Sequence, residues 1–107
     1  MEWEFSGPTE VSCLNVDIEF ESISEEQVVK LEKIVDAWVS VGIYGGYKGL
    51  MHNASGLTKI GDSYNMLVDL GSTDPELAME TLRGMLMTFS KYDGVVIKRL
   101  MLGKMDL

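Results

Sequence analysis

The sequence predicts an α+β domain: a four-stranded antiparallel sheet with two helices on one of its faces, in the order β-α-β-β-α-β. Three observations predict it. Residues 11–21 alternate apolar and polar, two stretches of helical period each follow a capping signal, and residues 95–102 are apolar and rich in β-branched side chains. A chain of 107 residues is one domain's length, so a single core is expected, with its elements between 11 and 102, an N-terminal extension over 1–10 in which Trp3 and Phe5 alternate with Glu2 and Glu4 as in an edge strand, and a tail over 103–107.

From Val11 to Glu21 the pattern has period two. Leu14, Val16, Ile18 and Phe20 take one face, while Cys13, Asn15, Asp17, Glu19 and Glu21 take the other, as in a strand buried on one side and wet on the other. Ser24-Glu25-Glu26-Gln27 then opens a helix: Ser24 caps it, Gln27 reaches back, and the two glutamates suit the positive end of the dipole. Val28, Leu31, Ile34, Val35 and Trp38 form its apolar stripe, and Gly42 is the expected stop. Ile43 to His52 reads as a second strand on Tyr44, Tyr47, Leu50 and Met51, with Gly45, Gly46 and Gly49 marking a bulge or a close backbone approach. Residues 53–63 are a polar, glycine-containing connection. Tyr64, Met66, Val68 and Leu70 give a third strand its inner face. Pro75 suits the first position of a second helix, Thr73 with Glu76 fits a capping box, and Ala78, Met79, Leu82, Met85, Leu86 and Phe89 supply the stripe. Asp93-Gly94 turns the chain into the last strand, which Lys98 and Arg99 interrupt.

With right-handed crossovers this element order places the strands 4-1-3-2 and resembles the ferredoxin-like superfold over residues 11–102. The run from Val11 through Ser24-Glu25-Glu26-Gln27 is also similar to the YggL-type ribosome-associated proteins in element order and helix start; no function is taken from that similarity. The superfold hosts many activities, so each must be tested on its own residues.

Charge decides several of them. The net charge is −8, and residues 1–36 hold ten carboxylates against Lys30 and Lys33, while the remainder is balanced. Such a field repels phosphate backbones and favours cations or a basic protein partner. RNA-binding relatives of the superfold stack bases on strand aromatics, but the wet face of the first strand offers Cys13, Asn15, Asp17 and Glu19 instead, so no nucleic-acid partner is expected. Phosphate-holding enzymes of the superfold use an arginine and backbone amides after that strand, where this chain has Glu19, Glu21, Glu25 and Glu26. Gly42 to Gly49 lacks the Gly-Lys-Ser/Thr ending of a phosphate loop. Cys13 is the single cysteine, so an intramolecular disulfide, a two-thiol metal site and a four-cysteine iron–sulfur cluster are all excluded within one chain; no metal and no cofactor are expected. No apolar run reaches membrane-spanning length, and the acidic start Met1-Glu2-Trp3-Glu4-Phe5 is unlike a signal peptide, so no membrane partner and a cytoplasmic location are expected.

Two functional expectations remain. The first is a non-catalytic, self-associating interaction module, a homodimer that buries Trp3, Phe5, Met101 and Met105 through its sheet or terminal strands. The second is a small cofactor-independent enzyme, similar to the monooxygenases and isomerases of the superfold, that would enclose a small molecule between sheet and helices against Trp38, Tyr44, Tyr47, His52 and Asn53. His52 is the only histidine and hence the candidate general base. Asp17 and Asp69 lie on the outward faces of two strands expected to pair; close together they would share a proton or hold a cation, and otherwise they belong to a solvated sheet face.

Overall fold

The computed structural model describes residues 2–6 and 13–104. In chain order these form β1 (Glu2–Ser6), β2 (Cys13–Ser22), α1 (Glu25–Ile43), β3 (Asn53–Ala54), β4 (Thr58–Ile60), β5 (Ser63–Asp69), α2 (Pro75–Asp93) and β6 (Val96–Lys104). The class is α+β, with one sheet in the order β1-β6-β2-β5-β3 and β4 also paired to β5. Every strand pair is antiparallel except β1–β6, which is parallel.

The alternation of period two governs the centre of this sheet. Leu14, Val16, Ile18 and Phe20 of β2, Tyr64, Met66 and Val68 of β5, and Ile97, Leu100 and Leu102 of β6 are all buried. Leu31, Val35 and Trp38 of α1 and Ala78, Met79, Leu82, Leu86 and Phe89 of α2 join the same cluster, so both helices cover one face. The helices run antiparallel. At one end the Trp38 indole N–H donates to the Ala78 carbonyl at 2.8 Å; at the other the Gln27 side chain donates to the Asp93 carbonyl at 2.9 Å and Lys30 pairs with the Asp93 carboxylate. That carboxylate, hydrogen-bonded to Lys30, holds the exposed ammonium above its ordinary pKa.

The sheet departs from the expected four strands in two places. Residues 43–52 are not a strand: α1 runs on to Ile43, Gly42 is buried inside its last turn, and 44–49 form a looped connection. Tyr47 and Met51, whose apolar character suggested a strand, are buried from that loop. The place of the second strand, outside β5, is taken instead by β3 and β4 within the segment expected to be a connection. Residues 2–6 of the N-terminal extension form an edge strand of the chain's own sheet, with Trp3 in register with Leu100 and Phe5 with Leu102.

The charged interruption of β6 also has a local cause. Glu19 pairs with Arg99 and Phe20 with Ile97, so Lys98 is an extra residue; Phe20 and Ser22 then face Ile97 and Val96, which makes Glu21 a compensating extra residue in β2. These are paired β-bulges. They let Lys98 and Arg99 both point outward while Ile97 and Leu100 stay inside.

At the start of α1 the capping box of Ser24 and Gln27 is complete. At α2 the cap is Asp74, not Thr73. The Asp74 carboxylate accepts from the Glu76 and Leu77 amides at 3.1 and 3.4 Å, and Pro75 holds the first helical position. A proline there fixes the preceding residue as the cap. Thr73 is buried, and its hydroxyl has no hydrogen-bond partner among the described residues. Asp74→Ala is therefore expected to lower stability by about 1 kcal/mol, whereas Thr73→Val, which removes an unmatched buried hydroxyl, leaves it unchanged or raised. Urea unfolding of the two variants side by side checks the contrast.

Candidate functional site

The residues expected to line a pocket between sheet and helices are dispersed. Trp38 and Tyr47 are core side chains: their rings lie 6.0 Å apart at 33°, and the Tyr47 hydroxyl donates to the Trp38 carbonyl at 2.9 Å. Tyr44, the first residue of the same loop, stands 88% exposed. His52 and Asn53 lie at the sheet margin, both exposed. Burial pushes the Tyr47 phenol up to about 12. The folded state thus keeps the proton that the unfolded chain releases near its ordinary value of about 10. The stability that Tyr47 contributes is complete below that pH and is lost as pH rises from about 10 through about 12, a fall on the order of 2 kcal/mol. Urea midpoints across this range should fall for the native chain and stay flatter for Tyr47→Phe.

His52 does meet a carboxylate. Its Nδ1 lies 3.4 Å from Asp69 Oδ2, its amide donates to the Asp69 carbonyl, and the backbone of Gly71 sits against its ring edge, where a Cβ would come within 2.8 Å of Nε2. Asp69 also accepts from the Gly71 amide, and Cys13 and Asn53 flank Asp69 in the two neighbouring strands. Around them is a shallow depression of about 180 Å³ lined by Cys13, Asn53, Ser55, Leu67 and Asp69. The His52 side chain remains 64% exposed. A contact this open leaves the ring in water.

The open face of the sheet carries a second polar group. Asp17 Oδ1 accepts from the Asn65 amide at 3.1 Å, the same amide donates to Asn15 at 2.6 Å, and Asn15 donates weakly to Asp17 Oδ2 at 3.5 Å. The ladder puts Asp17 opposite Asn65 and Cys13 opposite Asp69, so Asp17 and Asp69 stand four residues apart along β2–β5, roughly 13 Å. They form no carboxylate pair. Glu19 meets Lys98 at 3.8 Å, and a recess of about 350 Å³ opens between Asp17, Glu19, Asn65, Arg99 and Met101. Met101 belongs to this face; the backbone of β1 places Trp3 in register with Leu100 and Phe5 with Leu102, and Met105 lies outside the described residues.

One further concavity was not anticipated. It is an open trough of about 650 Å³ between α1 and α2, on the side of the helices away from the sheet. Ile34 of α1 lines it together with Glu80, Thr81, Gly84, Met85, Thr88, Phe89, Tyr92 and Asp93 of α2. The helices are joined at both ends by the Trp38–Ala78 and Lys30–Asp93 contacts, and Gly84, in mid-helix, leaves the space between those ends unfilled. Tyr92, which lines it, is 78% exposed. Only Gly84 and the exposed Tyr92 signalled this in the sequence, and neither is distinctive alone.

Among the described residues no group of three or more His, Cys, Asp or Glu side chains is placed to hold a metal ion. No helix among them is long and apolar enough to cross a membrane. A scan of protein-family models gave no match to this chain, and no curated protein matches it.

Proposed function

We propose that the chain is a non-catalytic, self-associating binding module. The observation that carries this reading is the trough between α1 and α2: a groove of about 650 Å³ lined by Ile34, Met85 and Phe89, with the exposed ring of Tyr92 at its rim. Contiguous exposed apolar surface on a small domain is the usual mark of a protein contact. The enzyme alternative, a small-molecule pocket between sheet and helices, gains no support from Trp38 and Tyr47, which fill that space and hydrogen-bond within it. The polar groups that water reaches, His52 with Asp69 and Asp17 with its two asparagines, are on the sheet margin and the open sheet face.

Sedimentation equilibrium from micromolar to millimolar protein tests the proposal. The expected result is a mass rising toward twice that of the 11.9 kDa chain. A mass that stays at one chain throughout would remove self-association from the reading.

A further inference from the structure

We infer that β1 is an exchangeable arm: in the self-associated state Glu2–Ser6 of each copy pairs with β6 of the other, in the register it takes on its own chain. The inference rests on the self-association proposed above and names the segment through which it proceeds.

The outer edge of β6 has an occupant in the structure. Glu2–Ser6 covers it in a parallel ladder that runs from Glu2 with Arg99 to Ser6 with Gly103. Among the described elements β1 lies against β6 alone, with neither helix beside it. It is five residues long, and a parallel ladder is slightly weaker per residue than an antiparallel one. Such an edge can open while the rest of the fold stands. β6 keeps β2 on its other side, so its outer edge stays formed and offers its donors and acceptors in one fixed register. The segment that fits this edge is the one already seen on it, and a second copy carries the same segment.

The connection favours exchange. Residues 7–12, Gly7-Pro8-Thr9-Glu10-Val11-Ser12, join β1 to β2, and β6 lies between those two strands. β1 runs parallel to β6, and β6 antiparallel to β2, so Ser6 and the start of β2 lie at the same end of β6. They are two strand spacings apart, roughly 10 Å, whereas six extended residues reach roughly 20 Å. Pro8 biases Gly7 toward extended backbone, and the β-branched Thr9 and Val11 share that preference. A sequence with this bias suits an arm reaching a second molecule better than a short return across its own strand. Stiff, short connections are the setting in which copies of a chain exchange elements.

Charge does not oppose the exchange. The ladder formed between copies is the ladder lost within each, so Glu2 comes opposite Arg99 whichever copy supplies it. No new pair of like charges is set across the strands, although the chain carries a net charge of −8. The strand contacts cancel between the two forms, and protein concentration then sets the balance between them.

A disulfide placed in this ladder reports which copy supplies β1. With Cys13→Ser removing the exposed native thiol, Glu4→Cys and Met101→Cys introduce thiols at register partners, within the reach of a disulfide. The full-length variant is refolded from urea at micromolar or millimolar concentration, oxidised mildly and run on a denaturing gel without reductant. Pairing within a chain gives a product of one-chain mass, and exchange gives one of two-chain mass. The two-chain product should rise by about tenfold or more between the two concentrations, as mass action requires of a bimolecular step. Leu67→Cys on the open sheet face, in the same background, controls for collision and should remain at one-chain mass. Glu2→Cys with Arg99→Cys, two residues along the same ladder, reads the contact independently. Two-chain product no greater than in the Leu67→Cys control, in a native chain that sediments as a dimer, would overturn the exchange and leave self-association standing. One-chain product throughout, in a native chain that stays monomeric at millimolar concentration, would overturn both.

Discussion

Trp38→Ala should destabilise this domain by about 3–5 kcal/mol, the range for deleting a fully buried aromatic side chain. Trp38 has no exposed surface and sits where the two helices and the 44–50 loop meet. Its truncation removes the indole donor to the Ala78 carbonyl and the ring against which Tyr47 packs. The cavity cannot close easily, because α1 and α2 are also tied at their other end through Gln27, Lys30 and Asp93. Trp38→Phe keeps an aromatic ring and loses the donor, so its loss should be smaller. Urea unfolding gives both values. A loss below about 1 kcal/mol for the alanine variant would mean that the helix–helix junction repacks, contrary to the usual rigidity of native cores.

Gly49→Ala is the second large expected effect. Its added Cβ would lie 2.1 Å from the Ser72 oxygen and 2.8 Å from the Thr73 nitrogen. These are backbone atoms, held in place by a zipper between two loops: Leu50 N–H to Ser72 Oγ, Ser72 N–H to the Leu50 carbonyl and Asp74 N–H to the Tyr47 carbonyl. The methyl group must separate the loops, break part of that zipper and disturb the Asp74 cap. A loss of about 3 kcal/mol is expected, at the upper end for overpacking. Gly84→Ala in the same titration is the control. With open space around it, alanine there should be neutral or stabilising by up to about 1 kcal/mol. Equal losses at both positions would show that the response is to losing glycine as such, not to the close approach.

The contrast between these two glycines also explains what the sequence could disclose. One-sided burial imposes period two on a strand, so β2 and the inner face of β5 could be read directly from Leu14–Phe20 and Tyr64–Val68. Two-sided constraints were harder. Tyr47 and Met51 looked like strand residues because burial selects apolar side chains whether a strand or a loop presents them. The glycines beside them did announce a close backbone approach, but the partner, the 70–74 loop, could not be named without the fold. β4 escaped notice because Thr58, Lys59 and Ile60 are all exposed and carry no alternation. The Asp74 cap was available from Pro75 alone, since a proline at the first helical position makes its predecessor the cap. The dispersal of Trp38, Tyr44, Tyr47, His52 and Asn53 was not legible, because the direction of each side chain depends on where α1 ends. The trough depends on the spacing of two helices, which no local pattern encodes.

The pairing of β1 with β6 has a consequence for how the chain acquires its structure during synthesis. Glu2–Ser6 finds its ladder only on Val96–Lys104, and β2 has β6 as one of its two neighbours. The segment bearing β1 therefore leaves the ribosome long before the strand that will hold it exists. Until β6 emerges, β2 and the helices enclose a sheet with an unpaired flank, a state that exposes backbone donors and acceptors to any other nascent chain. Closing so long a loop is slow compared with forming either helix. Completion of this sheet thus waits for β6, the one strand that joins its centre at β2 to its edge at β1.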